Sequence, residues 1–109
     1  MDLNQKQCVP CEGGMAPLNA GEIRTYLSEL EAEWEVVEGK MIRREFVFKT
    51  FRKAVLFAGS VADLAEEEKH HPNIHIFYRH VIIELTTHAI GGLSENDFIM
   101  AAKINTTYG

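Results

Sequence analysis

Apolar residues recur at helical spacing from Ile23 through Tyr26, Leu27, Leu30 and Trp34, and Asn19 stands three residues ahead of Glu22, the arrangement of a reciprocal capping pair. The pattern predicts a first helix over residues 19 to about 32. The period then changes. Residues 34–37 and 42–48 read as two strands joined by a turn at Glu38-Gly39-Lys40. In the second strand Ile42, Phe46 and Phe48 share one face at period two, although Arg44 interrupts that face and Val47 is apolar on the other.

Phe51, Val55, Ala58, Ala62 and Ala65, flanked by Ala54, Phe57, Val61 and Leu64, give a wide apolar stripe that predicts a core helix over residues 50 to about 69. Gly59 and Ser60 lower its local propensity, but the stripe continues on both sides of them. Pro72 disfavours helical geometry at His71 and ends the helix there. Residues 74–78 and 80–86 read as two further strands, the second with Val81, Ile83 and Leu85 alternating against His80, Glu84 and Thr86. After Gly91-Gly92, Ser94 and Asp97 form a second capping pair, and Leu93 with Phe98 can staple it, so a last helix is expected over residues 95 to about 104. The order α-β-β-α-β-β-α predicts an α+β fold: a four-stranded antiparallel sheet with three helices on one face.

A chain of 109 residues has room for one core, here expected over residues 18–109 behind an irregular leader over residues 1–17. Its 46% hydrophobic and 25% charged composition is that of an ordinary globular domain. The net charge of -5 argues against a protein built to hold nucleic acid, which needs a basic footprint. Arg43, Arg44, Lys49, Arg52 and Lys53 cluster locally, and a solvated strand end and helix start account for them. No apolar stretch reaches the length of a membrane span, and the polar first residues lack the apolar segment of a signal peptide, so a cytoplasmic location is expected. Cys8 and Cys11 form an isolated Cys-x-x-Cys without two further ligands at comparable spacing; a reduced pair in an irregular segment is the simplest reading.

The candidate chemistry lies in the histidines. His70, His71, His75 and His80 fall within eleven residues, and the fifth, His88, follows the next strand. Metal binding is one reading, but Pro72 separates His71 from His75, and no further ligand stands at a matching spacing. A structural role is another: His70 can complement the negative end of its helix, and Glu66, four residues earlier, can pair with it. Proton transfer is the third, since imidazole offers both donor and acceptor forms near neutral pH.

The series Glu66-x-x-x-His70-His71-Pro72, then Tyr78, Thr87-His88, Gly92-Leu93-Ser94 and Asp97 resembles the pterin-4a-carbinolamine dehydratases at every spacing. The resemblance runs from about Leu18 to the end of the chain, and the leader Cys8-x-x-Cys11-x-Gly13-Gly14 is similar to that of bacterial and plant-type members. Two places depart: Ile74-His75 stands where animal members carry Trp-Phe, and Ala89 follows the third histidine where they carry Glu. His75 and His80 match no catalytic position and read as strand surface residues.

The resemblance implies dehydration of 4a-hydroxytetrahydrobiopterin to quinonoid dihydrobiopterin, recycling the cofactor of aromatic amino acid hydroxylases. It implies a pterin substrate and histidine acid-base catalysis with no cofactor and no metal. His70 and His88 are the expected proton-transfer pair, with His71 holding the pterin. Asp97 is expected as a helix cap or as a ring orienter, and can orient His88 while still capping; Thr87 and Glu66 are supporting groups. A homodimer or homotetramer is expected, with no membrane or nucleic-acid partner. Two other readings stand beside this one: a non-catalytic dimerisation or coactivator module, and a pterin-related role outside hydroxylase recycling.

Overall fold

The structure, a computed structural model, describes residues 3–9, 15–30 and 33–108. Three α-helices and four strands follow the predicted order: α1 (Ala20–Ser28), β1 (Glu35–Val37), β2 (Met41–Val47), α2 (Phe51–Glu68), β3 (Asn73–Phe77), β4 (His80–Leu85) and α3 (Glu95–Tyr108). The strands form one antiparallel sheet in the order β1-β2-β4-β3, with Arg43 opposite Glu84 and Phe46 opposite Val81 at its centre. Among the described residues no helix is long and apolar enough to cross a membrane.

The local signals act as their chemistry requires. Asn19 accepts from the Glu22 backbone N–H while the Glu22 carboxylate accepts from that of Asn19, so both halves of the capping box are present. Thr50 caps α2 by accepting from Lys53 N–H. The turn between β1 and β2 places Glu38 and Gly39 at positive φ, and Gly39 takes that conformation without a Cβ penalty.

One face of the sheet is dry. Ile42 and Phe46 of β2 join Val81, Ile83 and Leu85 of β4 beneath Val61 of α2 and Phe98, Ile99 and Ile104 of α3, all buried. The core also includes Leu3, only 3% exposed, from the short 3-10 turn Leu3–Gln5. The other face carries His75 and His80, paired across strands with Glu84 (2.9 Å) and Glu45, as expected for surface residues.

Three details differ from the expected pattern. The first helix ends at Ser28, before the anticipated Ala32, which lies outside the described residues. On α2 the buried line is Ala54, Phe57, Ala58, Val61 and Ala65, whereas Phe51, Val55 and Ala62 face outward. A stripe this wide exceeds what one sheet face covers, so Phe57 packs on Phe46 and Phe48 while Phe51 stays exposed. Finally, α3 runs four residues past Ile104, because its last turn has partners on β2. Asn105 Oδ1 accepts from Trp34 Nε1–H (2.8 Å) and from Arg44 Nη1 (2.7 Å), and Tyr108 Oη donates to the Val47 carbonyl (3.1 Å). These contacts also explain Arg44, whose guanidinium lies 4.4 Å from the Phe46 ring centroid on the otherwise apolar face.

Candidate active site

Two helix ends and the segment after β4 enclose the site. α2 stops when Lys69 adopts a left-handed conformation (φ 57°), and the N–H of His70 reaches back to the Ala65 carbonyl at 3.2 Å. This sharp reversal separates neighbours: the His70 side chain turns inward, 12% exposed, while that of His71 stays in solvent. On the other side, Thr87 and Gly92 form an isolated antiparallel bridge that closes a small loop around the 3-10 turn His88–Ile90. Gly91 turns at positive φ, and a Cβ on Gly92 would meet the Pro17 ring at 2.7 Å, so both glycines are needed to close it.

Asp97, on the first turn of α3, is fully buried and fully engaged. Its Oδ2 accepts from Thr87 Oγ1 (2.8 Å) and from the Ser94 backbone N–H (2.9 Å), while Oδ1 lies 2.6 Å from His70 Nε2. Thr87 Oγ1 also meets Ser94 Oγ at 2.8 Å. A carboxylate in this position needs donors on every side, and these groups supply them. The cap and the orienter are thus one residue. The ring it orients is His70, however, and not the anticipated His88.

Glu66 also has a different partner from the one its spacing suggested: it pairs with His71 (2.8 Å), because the left-handed Lys69 takes His70 off the helix face that Glu66 shares. His70, His71 and His88 nevertheless come together. With Lys69, Thr86, Thr87 and Ala89 they line one open hollow of ≈ 310 Å³, a volume at the small end of ligand sites. Tyr78, His75 and His80 are not among its lining residues. Among the described residues no group of three or more His, Cys, Asp or Glu could hold a metal ion.

Behind the hollow lies a part of the site that residue patterns did not signal. Glu68, the last residue of α2, accepts from the Cys8 backbone N–H at 2.8 Å and lies 3.4 Å from Lys103 Nζ. Burial would raise its carboxyl pKa, but the Cys8 N–H and Lys103 outweigh that and hold it below the ordinary value. Burial, then the Glu68 charge, pushes the Cys8 thiol up to about 12. Cys11, its partner in the sequence motif, lies outside the described residues.

Comparison with known proteins gives this arrangement a context. The family described as pterin 4 alpha carbinolamine dehydratase matches residues 16–107. A Nitrosospira multiformis protein provisionally named pterin-4-alpha-carbinolamine dehydratase is 50% identical over 107 residues, 98% of this chain and 93% of its own. Among solved structures, a Brucella melitensis protein described as a transcriptional coactivator/pterin dehydratase superposes with a TM-score of 0.79 at 36% identity, covering 85% of this chain and 99% of that one. A pterin dehydratase-like protein described as a RuBisCO assembly factor in the alpha-carboxysome is similar at a TM-score of 0.62 and 25% identity, over 72% of this chain and 93% of that one.

Proposed function

This chain belongs to the pterin-4-alpha-carbinolamine dehydratase family, and from that premise we propose that it removes water from 4a-hydroxytetrahydrobiopterin to give quinonoid dihydrobiopterin. The observation that carries the reading is the convergence of three imidazoles on one hollow, one of them backed by a buried carboxylate.

The reaction breaks the C4a–O bond. The leaving hydroxyl takes a proton and departs as water, N5 loses its proton, and the electron pair left on N5 forms the N5–C4a double bond. One acid and one base suffice. Asp97 as a carboxylate is an acceptor only, so the atom facing it, His70 Nε2, carries the proton. In the neutral ring Nδ1 is then the acceptor, and on that form we assign His70 as the base and His88 as the acid that protonates the hydroxyl. His71, exposed and paired with Glu66, is suited to hold the pterin at the mouth of the hollow.

The same reading places the protein in the cytoplasm, recycling the pterin of aromatic amino acid hydroxylases, and makes it a homo-oligomer. Phe51, Val55 and Leu56 on the outer side of α2, with Ile76 and Phe77 on the edge strand β3, are apolar and exposed, which favours a second copy as their partner. The test is direct: the protein is mixed with freshly generated 4a-carbinolamine, the quinonoid absorbance is followed, and His88→Ala is run beside it. Acceleration that disappears in the variant supports the reaction. No acceleration over buffer removes it and favours a non-catalytic binding module; one similar structure is described as a RuBisCO assembly factor.

A further inference from the structure

The His70–Asp97 pair is gripped from behind by a segment remote in sequence. The Cys8 N–H donates to Glu68 Oε1 at 2.8 Å. The amide of Asn96 holds Val9 on both sides, Oδ1 accepting from its N–H at 3.0 Å and Nδ2 donating to its carbonyl at 2.6 Å. Lys6 Nζ lies 2.7 Å from Glu95 Oε2, and Leu3 is inserted in the core. Glu68 closes α2 two residues before His70, and Asn96 immediately precedes Asp97 on α3.

We propose that residues 6–9 act as a brace that sets the spacing of the His70–Asp97 pair, with Glu68 and Asn96 as positioning residues that work through it. The inference rests on the reading of His70 as a proton-transfer group. A contact of 2.6 Å survives only small displacements, and it joins two helix termini, where helices fray. The brace ties both termini to one short stretch of chain through four bonds that are each partly shielded from water, which lessens competition for them.

The experiment uses the full chain and two readouts: the downfield ring N–H proton of His70 in the substrate-free protein, and the separate values of kcat and KM. In Asn96→Ala that proton should exchange with water about tenfold faster and kcat should fall by about tenfold, with KM within about twofold. Lys6→Glu, a surface change that opposes Glu95, should shift both in the same direction by less, and it carries the test if Asn96→Ala does not fold. Val61→Ala, which loosens the core elsewhere on α2, should lower the melting temperature without moving the ring proton. An unmoved ring proton in a folded brace variant, whatever its kcat, overturns the proposal. A ring proton that responds in a chain without dehydratase activity upholds the brace and fails the proposed reaction instead.

Discussion

Asp97 stands directly behind His70, its Oδ1 2.6 Å from the ring Nε2, while Thr87 and the Ser94 N–H occupy its other oxygen. This relationship sets the tilt of the ring and, with Asp97 ionised, puts a ring proton on Nε2.

Replacing Asp97 by Asn keeps the shape and inverts that preference. Thr87 and Ser94 donate to the same oxygen, so the Asn carbonyl would stay with them and its NH2 would face His70. The ring would then have to protonate at Nδ1. We expect kcat to fall by about 10- to 100-fold with little change in KM. Ring-nitrogen NMR would detect the tautomer change, and an unchanged tautomer would remove the explanation.

His88 and His71 should separate kinetically. His88→Ala is expected to lower kcat by about a hundredfold or more, whereas His71→Ala should raise KM more than it lowers kcat. Both side chains are exposed, so neither change should alter stability by more than about 0.5 kcal/mol. Steady-state kinetics with denaturant melts checks all three statements.

Thr87→Val retains the shape of a buried side chain and removes one of the donors to Asp97. A buried acceptor deprived of a partner should cost about 1–3 kcal/mol, visible in urea unfolding. Thr87→Ser, which restores the hydroxyl, should recover most of the loss.

The hydrogen bond from His75 holds the Glu84 carboxyl below its ordinary value of 4.5. A depressed folded pKa stabilises the fold above the unfolded value and loses that effect as pH falls through the folded one. The melting temperature should therefore fall with acidification below 4.5, and Glu84→Gln should fall less steeply, since it has no such contribution to lose. Parallel acid profiles for the two proteins would refute the link.

With burial and Glu68 pushing its pKa up to about 12, the Cys8 thiol stays protonated at neutral pH. Iodoacetamide at pH 8 should label Cys8 far more slowly in the folded protein than after unfolding in urea, as peptide mass mapping would show. The shift from 9.0 also means that any stability tied to the neutral thiol is fully present below pH 9.0 and declines as pH rises toward 12.

Much of the fold was legible because its signals are local. The Asn19–Glu22 box and the alternation of Val81, Ile83 and Leu85 each lie within a few residues, and each reappears in the structure. What escaped depends on distant partners. Arg44 is accommodated on an apolar face because Asn105 and Tyr108 receive its guanidinium, although its buried Nε has no hydrogen-bond partner among the described residues. Glu66 and His70 have the spacing of a helical pair, yet Lys69 turns the chain between them. Asp97 could be read as a cap from Ser94 alone, but its choice of His70 depended on how two helices pack. The contacts of Cys8 and Val9 carry no periodicity at all.

The left-handed turn at Lys69 also bears on how this segment can vary. Because His70 and His71 are sent to opposite environments by one backbone reversal, the doubled histidine provides no redundancy. Loss of a single residue between Glu66 and Pro72 would slide the second imidazole toward the carboxylate while erasing the turn that aims it. Length here should therefore be constrained more tightly than composition: an exposed side chain such as Glu67 can drift, whereas insertions and deletions cannot be absorbed.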